Sequence, residues 1–66
     1  MNKGEILKLI DRKIKYHLDL SDYFNGKNDH NSEVQSNYEY GMAVAFQEAR
    51  SIIGMLDKPN KISNNG

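Results

Sequence analysis

The stretch YEYGMAVAFQEARSIIGML, which runs from Tyr38 to Leu56, decides the fold. Its apolar and small residues recur at alternating steps of four and three, which is the period of one helix face sustained for about five turns. The main row consists of Tyr38, Met42, Ala45, Ala49, Ile52 and Leu56. Gly41, Phe46 and Ile53 lie beside this row and widen it. The pattern predicts an amphipathic helix whose apolar stripe is too broad for a single neighbouring helix to cover.

A first amphipathic helix precedes this stretch. Asn2 and Glu5 have the spacing of a capping box, and apolar positions at helical spacing follow as far as Phe24. The dipeptide Asn25-Gly26 should end the helix, because glycine readily adopts the left-handed conformation of a helix C-terminus. The sequence therefore predicts helix 1 over residues 3–24, followed by a polar loop over residues 25–31.

Helix 2 has two candidate starts, since Ser32 with Gln35 and Ser36 with Glu39 both form capping boxes. We prefer Ser32, which predicts helix 2 over residues 32–57. Pro59 disfavours helical geometry in the residue before it, so the helix should end near Asp57. Residues 59–66 are predicted to be a disordered tail, which leaves residues 1–58 as the helical hairpin.

An antiparallel hairpin with helix 2's main row facing helix 1 pairs bulky residues with small ones in its middle layers. The predicted pairs are Phe24 with Tyr38, Ser21 with Gly41 or Met42, His17 with Ala45, Ile14 with Ala49, Ile10 with Ile52, and Leu7 with Leu56. This arrangement leaves part of the stripe exposed, and two hairpins in a four-helix bundle would cover it. The predicted fold class is therefore all-α, a two-helix hairpin that self-associates, at least as a dimer.

The size of the chain also favours self-association. A chain of 66 residues is marginally stable alone, and domains of this size are usually supported by disulfides, a metal or oligomerisation. The sequence contains no cysteine and two histidines, so we expect no disulfide, no metal site and no cofactor. We expect a cytoplasmic protein, because neither a membrane span nor a signal peptide is recognisable.

The charges are polarised along a chain whose formal net charge is zero. Residues 1–18 carry five cations and two anions, a net charge of +3, whereas residues 19–40 carry one cation and five anions, a net charge of −4. In a hairpin the loop end is therefore acidic, and the end that holds both termini is basic. A neutral chain argues against a general nucleic-acid binder, and we consider DNA contact through Lys8, Arg12 and Lys15 an unfavoured alternative.

Three sets of side chains are candidate contacts. The acidic loop end (Asp22, Asp29, Glu33 and Glu39) and the exposed tyrosines (Tyr16, Tyr23 and Tyr40) are candidates for binding a partner protein. His17 lies within the apolar face of helix 1, where a structural hydrogen bond is the more common role and ligand binding the less common one. If His17 binds a ligand, the alternative function is a bundle that binds a small anion such as a nucleotide. Its candidate contacts are His17, Lys13, Lys15 and Arg50. No catalytic constellation is recognisable, so the sequence favours a non-enzymatic protein.

The pattern Tyr38-x-x-Gly41-x-x-x-Ala45-x-x-Glu48-Ala49-x-x-Ile52-Ile53, behind an amphipathic helix and a short polar loop, resembles the short helical-hairpin proteins of phages and prophages. The resemblance extends over residues 5–56. It implies a small accessory protein without enzymatic activity, of the kind that inhibits or redirects a host or defence protein. These proteins share no site motif, so the resemblance assigns no functional residue.

Overall fold

The computed structural model describes residues 1–56 of the chain. In this part, α1 spans Lys3–Asn25 and α2 spans His30–Met55, and the two helices pack against each other as an antiparallel hairpin. The predicted all-α hairpin is confirmed. Neither helix of the described part contains an apolar stretch long enough to cross a bilayer. The predicted tail, residues 59–66, lies outside the described residues.

The N-terminus of α1 follows the prediction. The Asn2 side chain accepts a hydrogen bond from the Glu5 backbone N–H, and the Glu5 carboxylate accepts one from the Asn2 N–H, both at 2.9 Å. The C-terminus differs from it, because Gly26 has right-handed geometry with φ −81°. The left-handed residue is Asn28, with φ 60°, and asparagine is among the few residues that adopt this conformation readily.

The start of α2 also differs from the prediction. The N-cap is Asp29, and its carboxylate accepts hydrogen bonds from the Ser32 backbone N–H at 2.8 Å and from the Ser32 hydroxyl at 3.0 Å. The expected N-cap, Ser32, therefore lies in the first turn, and the helix begins two residues earlier than predicted. The loop shortens accordingly to residues 26–29, and α2 ends at Met55 rather than near Asp57.

Replacing Asp29 with alanine should lower the stability of the hairpin, because two donors at the start of α2 lose their acceptor. The hydrogen bonds from Ser32 lower the pKa of Asp29. This stabilisation is therefore present above the pKa of an unfolded aspartate and is lost as the pH falls through the lower pKa of the folded state. Denaturant unfolding across acidic pH should show the wild-type and Asp29→Ala curves converging in acid. A constant difference at all pH values would contradict this role.

The face of α2 that packs on α1 is rotated from the one predicted. It is formed by the row Ser36, Glu39, Ala43 and Phe46, of which Ser36, Glu39 and Ala43 are buried. Ser21 contacts Ser36, His17 contacts Glu39 and Phe46, and Asp11 contacts Arg50. The predicted pairing of Ser21 with Gly41 or Met42 and of His17 with Ala45 is therefore wrong. We call the row that α1 actually contacts the seam of α2.

The core of the hairpin is small. Among the described residues, only Ile10 and Ala43 are buried hydrophobics, and no large side chain is fully buried. Gly41 is not at a close helix contact, because no neighbouring atom lies within 4 Å of the place that a side-chain methyl group would occupy there. A single hairpin therefore buries only a small part of its apolar side-chain surface.

Candidate functional site

A polar contact joins the centres of the two helices. His17 Nδ1 and Glu39 Oε1 lie 2.6 Å apart, with side chains that are 13% and 12% exposed. The His17 ring stacks on Phe46 at 5.7 Å between centroids and meets the edge of Tyr16 at 5.1 Å. His17 is therefore held on three sides, by a carboxylate and two aromatic rings.

Glu39 was expected at the exposed acidic loop end, and this placement is wrong. It is buried, with 9% of its surface exposed, because it belongs to the seam. Sequence reasoning anticipated a hydrogen-bonded His17 but not this partner. The available signal was the spacing Ser36, Glu39, Ala43 and Phe46, which places a carboxylate in a row of otherwise small or apolar side chains.

Two serines join the helices nearer the loop. The Ser21 hydroxyl donates to the Ser36 carbonyl at 3.0 Å, the Ser36 hydroxyl donates to the Ser21 carbonyl at 2.9 Å, and the two hydroxyls lie 3.0 Å apart. Such reciprocal bonding to the main chain requires the helix backbones to approach closely, which small side chains allow. Every buried side-chain nitrogen or oxygen in the described part has a hydrogen-bond partner. The polar contacts are therefore satisfied within the hairpin.

One side of the helix pair is open and apolar. Tyr16 of α1 and Phe46 of α2 both contact the His17 ring, and their helical spacing from the residues that join the helices places both on the same side of the hairpin. Helical spacing brings further apolar residues to this side from both helices. We call this surface the open face; its residues are Leu9, Tyr16, Leu20 and Tyr23 of α1 and Met42, Phe46, Ala49 and Ile53 of α2. Tyr16 and Tyr23 are each 58% exposed.

The stripe on α2 continues from the open face to the helix edge that points away from α1. Tyr38, Ala45, Ile52 and Leu56 are exposed there, Ile52 by 64% and Leu56 by 78%. Gly41 lies on the same edge. The residues predicted to form an oligomer interface thus divide between the open face and this outer edge.

The acidic loop end retains three of its four predicted carboxylates. Asp22, Asp29 and Glu33 are exposed, and Asp29 and Glu33 help to line an open hollow together with Phe24, Asn25, Asn28 and His30. Asp29 already caps α2, which leaves Asp22 and Glu33 as the carboxylates without a structural role in helix capping. In the described part, no group of three or more potential ligands is placed to hold a metal ion.

The four residues considered for a small anion are not brought together. His17 is bonded to Glu39, Lys15 to Asp19 at 2.8 Å, and Arg50 to Asp11 at 2.6 Å. Lys13 and Lys15 are two positions apart on α1, so they point to nearly opposite sides of the helix. The geometry gives no support to a shared anion site.

The three candidate tyrosines are exposed but occupy different surfaces. Tyr16 and Tyr23 belong to the open face, and the Lys27 ammonium lies 4.6 Å from the Tyr23 ring centre. Tyr40 is 57% exposed, and its position in the helical period places it on the side opposite the open face.

Comparisons with protein-family models, with curated proteins and with solved structures gave no match for this chain.

Proposed function

We propose that this chain is a non-enzymatic protein-binding module that self-associates into a four-helix bundle and occupies the surface of a partner protein. The observation that carries the proposal is the imbalance between its buried and exposed apolar residues. Ile10 and Ala43 are the buried hydrophobics of the described part, while tyrosines, Ile52, Met55 and Leu56 are more than half exposed. Large contiguous apolar surfaces on small proteins are typical of protein interaction sites.

The surfaces available for self-association and for a partner are different. The open face is apolar and suits a second hairpin, because packed helices bury such surfaces. Asp22 and Glu33 lie at the loop end, where exposed carboxylates favour a basic protein surface and accelerate its association. Aromatic side chains such as Tyr40 are common anchors in protein interfaces.

The resemblance to phage and prophage hairpin proteins adds a class of partner to this proposal. A host or defence enzyme whose basic surface is occupied by the acidic loop end would be inhibited by steric exclusion. Neither bound metal nor a bound nucleotide is required for this mode of action.

Affinity capture from a host lysate, with protein identification by mass spectrometry, tests the partner class. The informative variant is Asp22→Lys with Glu33→Lys, since neither side chain caps a helix. Its control is Lys8→Glu with Lys15→Glu, which reverses two exposed cations of α1 and also breaks the exposed Lys15–Asp19 ion pair, a contact of small energetic weight. A partner protein should be captured by the wild type and the control but not by the acidic-end variant.

The acidic-end variant should remain folded and melt slightly earlier, because Glu33→Lys places a cation in the first turn of α2. With the purified partner it should associate more slowly and show a weaker salt dependence. Capture that survives reversal of Asp22 and Glu33 but is lost in the Lys8 and Lys15 variant would contradict the proposal and identify the basic end as the binding surface. Capture of nucleic acid or nucleotide in place of protein would contradict it as well.

A further inference from the structure

We propose that the open face is covered by a second copy of this chain in the opposite orientation, with the loop end of one hairpin against the terminal end of the other. The inference rests on the self-association proposed above and specifies its geometry. In this arrangement a twofold axis crosses the helices at right angles near Tyr16, so that each α1 packs on the partner's α1 and each α2 on its α2.

The first support is a symmetric row on α1. Leu9, Tyr16 and Tyr23 are spaced seven residues apart, which places them along one side of the helix at intervals of about 10.5 Å. When two such rows run antiparallel about Tyr16, the two Tyr16 side chains meet, and Leu9 of each copy meets Tyr23 of the other. Both tyrosines are more than half exposed in the single hairpin.

The second support is charge complementarity along the border of this row. Glu5, Arg12 and Asp19 also have a spacing of seven and lie on the adjacent outer side of α1. In an antiparallel pair centred on Tyr16, residues whose numbers sum to about 32 are at the same level. Arg12 of one copy is then level with Asp19 of the other, whose carboxylate also pairs with Lys15 of its own helix at 2.8 Å.

The whole charge distribution agrees with this orientation. Residues 1–18 carry a net charge of +3, and the exposed carboxylates Asp22, Asp29 and Glu33 lie at the loop end, so opposite ends attract in the antiparallel pair. The alternative stacking places loop end over loop end, and α1 over the partner's α2. It brings the two acidic ends together, which is unfavourable at moderate ionic strength.

The third support is the pairing of small with bulky side chains between the two α2 helices. The contacts of His17 with Glu39 and Phe46 place the axis level with residues 43–44 of α2. Ala45 of one copy is then level with Met42 of the other, and Ala49 with Tyr38, so that a small side chain faces a bulky one in each pair. Lys13 lies on the open face itself, between Leu9 and Leu20, where its aliphatic stem can cover apolar surface while its ammonium extends toward water.

Single-cysteine variants test the orientation, because the described part of the chain contains no cysteine and neither does the rest of the sequence. A disulfide requires Cβ atoms about 3.5–4.5 Å apart, so Tyr16→Cys should form a disulfide-linked dimer under mild oxidation. Leu9→Cys and Tyr23→Cys should link efficiently when the two variants are mixed, but not separately. Ser51→Cys, an exposed position on the side of α2 away from the open face, is the control and should stay unlinked.

A charge exchange provides an independent readout. Arg12→Glu should raise the dimer dissociation constant about threefold to tenfold, since the dimer loses two symmetry-related pairs. The double variant Arg12→Glu with Asp19→Arg should restore most of the affinity. Both side chains are exposed in the hairpin, and helicity measured by circular dichroism checks that the variants remain folded.

The possible results separate the two proposals. A wild-type monomer at micromolar concentration would contradict self-association itself. A dimer in which Tyr16→Cys stays unlinked, or in which Ser51→Cys links equally well, would contradict only the orientation. Failure of Asp19→Arg to rescue Arg12→Glu would also contradict the orientation.

Discussion

Replacing Glu39 with alanine is expected to lower the free energy of unfolding by about 2–4 kcal/mol. The variant removes the carboxylate that lies 2.6 Å from His17 Nδ1, and it leaves a mostly buried imidazole without its partner. It also opens a gap in the seam next to Phe46. Chemical denaturation of both proteins at the same concentration measures the effect, because the stability of an oligomer depends on concentration.

The matched control replaces both partners by apolar residues, as in His17→Leu with Glu39→Met. Exchange of a buried polar pair for apolar side chains of similar volume is often neutral or stabilising. The double variant should therefore be clearly more stable than Glu39→Ala. A Glu39→Ala variant that melts like the wild type would contradict the structural role of this contact. If His17→Ala instead melted normally but lost partner binding, His17 would be a ligand contact.

Replacing Ala45 with leucine is expected to weaken self-association by about 1–3 kcal/mol, which corresponds to roughly a 5- to 150-fold higher dissociation constant. Ala45 is exposed in the single hairpin, so a larger side chain has room there until a second α2 approaches. Sedimentation equilibrium measures the change. Ala49→Leu should act in the same direction, since Ala49 belongs to the open face.

Ser51→Leu is the control for Ala45→Leu, because Ser51 is an exposed position on α2 away from the stripe. It should leave the dissociation constant nearly unchanged. If Ala45→Leu and Ala49→Leu both associate as tightly as the wild type, close packing of α2 against a second copy is wrong.

The parts of the fold that depend on local sequence could be predicted. The Asn2 and Glu5 capping box needs only two side chains in one turn, and the structure confirms it. The start of α2 was harder to place, because Asp29 and Ser32 are both good N-cap residues. The choice depends on Asp29 accepting two hydrogen bonds from Ser32, which the sequence does not show.

Which face of α2 packs on α1 could not be predicted from the period of its apolar residues. A stripe this broad shows which residues avoid water, but it does not say which part of the stripe meets α1. The seam instead includes Ser36 and Glu39, because hydrogen bonds to Ser21 and His17 satisfy them between the helices. The apolar remainder of the stripe is thereby left on the open face and the outer edge of α2.

Light scattering of the wild-type protein at micromolar concentration shows directly whether the chain self-associates, as coverage of the open face by a second copy requires. The chain has a mass of 7.6 kDa. A particle of twice that mass or more is expected, and its share should fall when Ala49, which lies on the open face, is replaced by leucine. A folded, cooperatively melting particle of 7.6 kDa across that concentration range would contradict self-association.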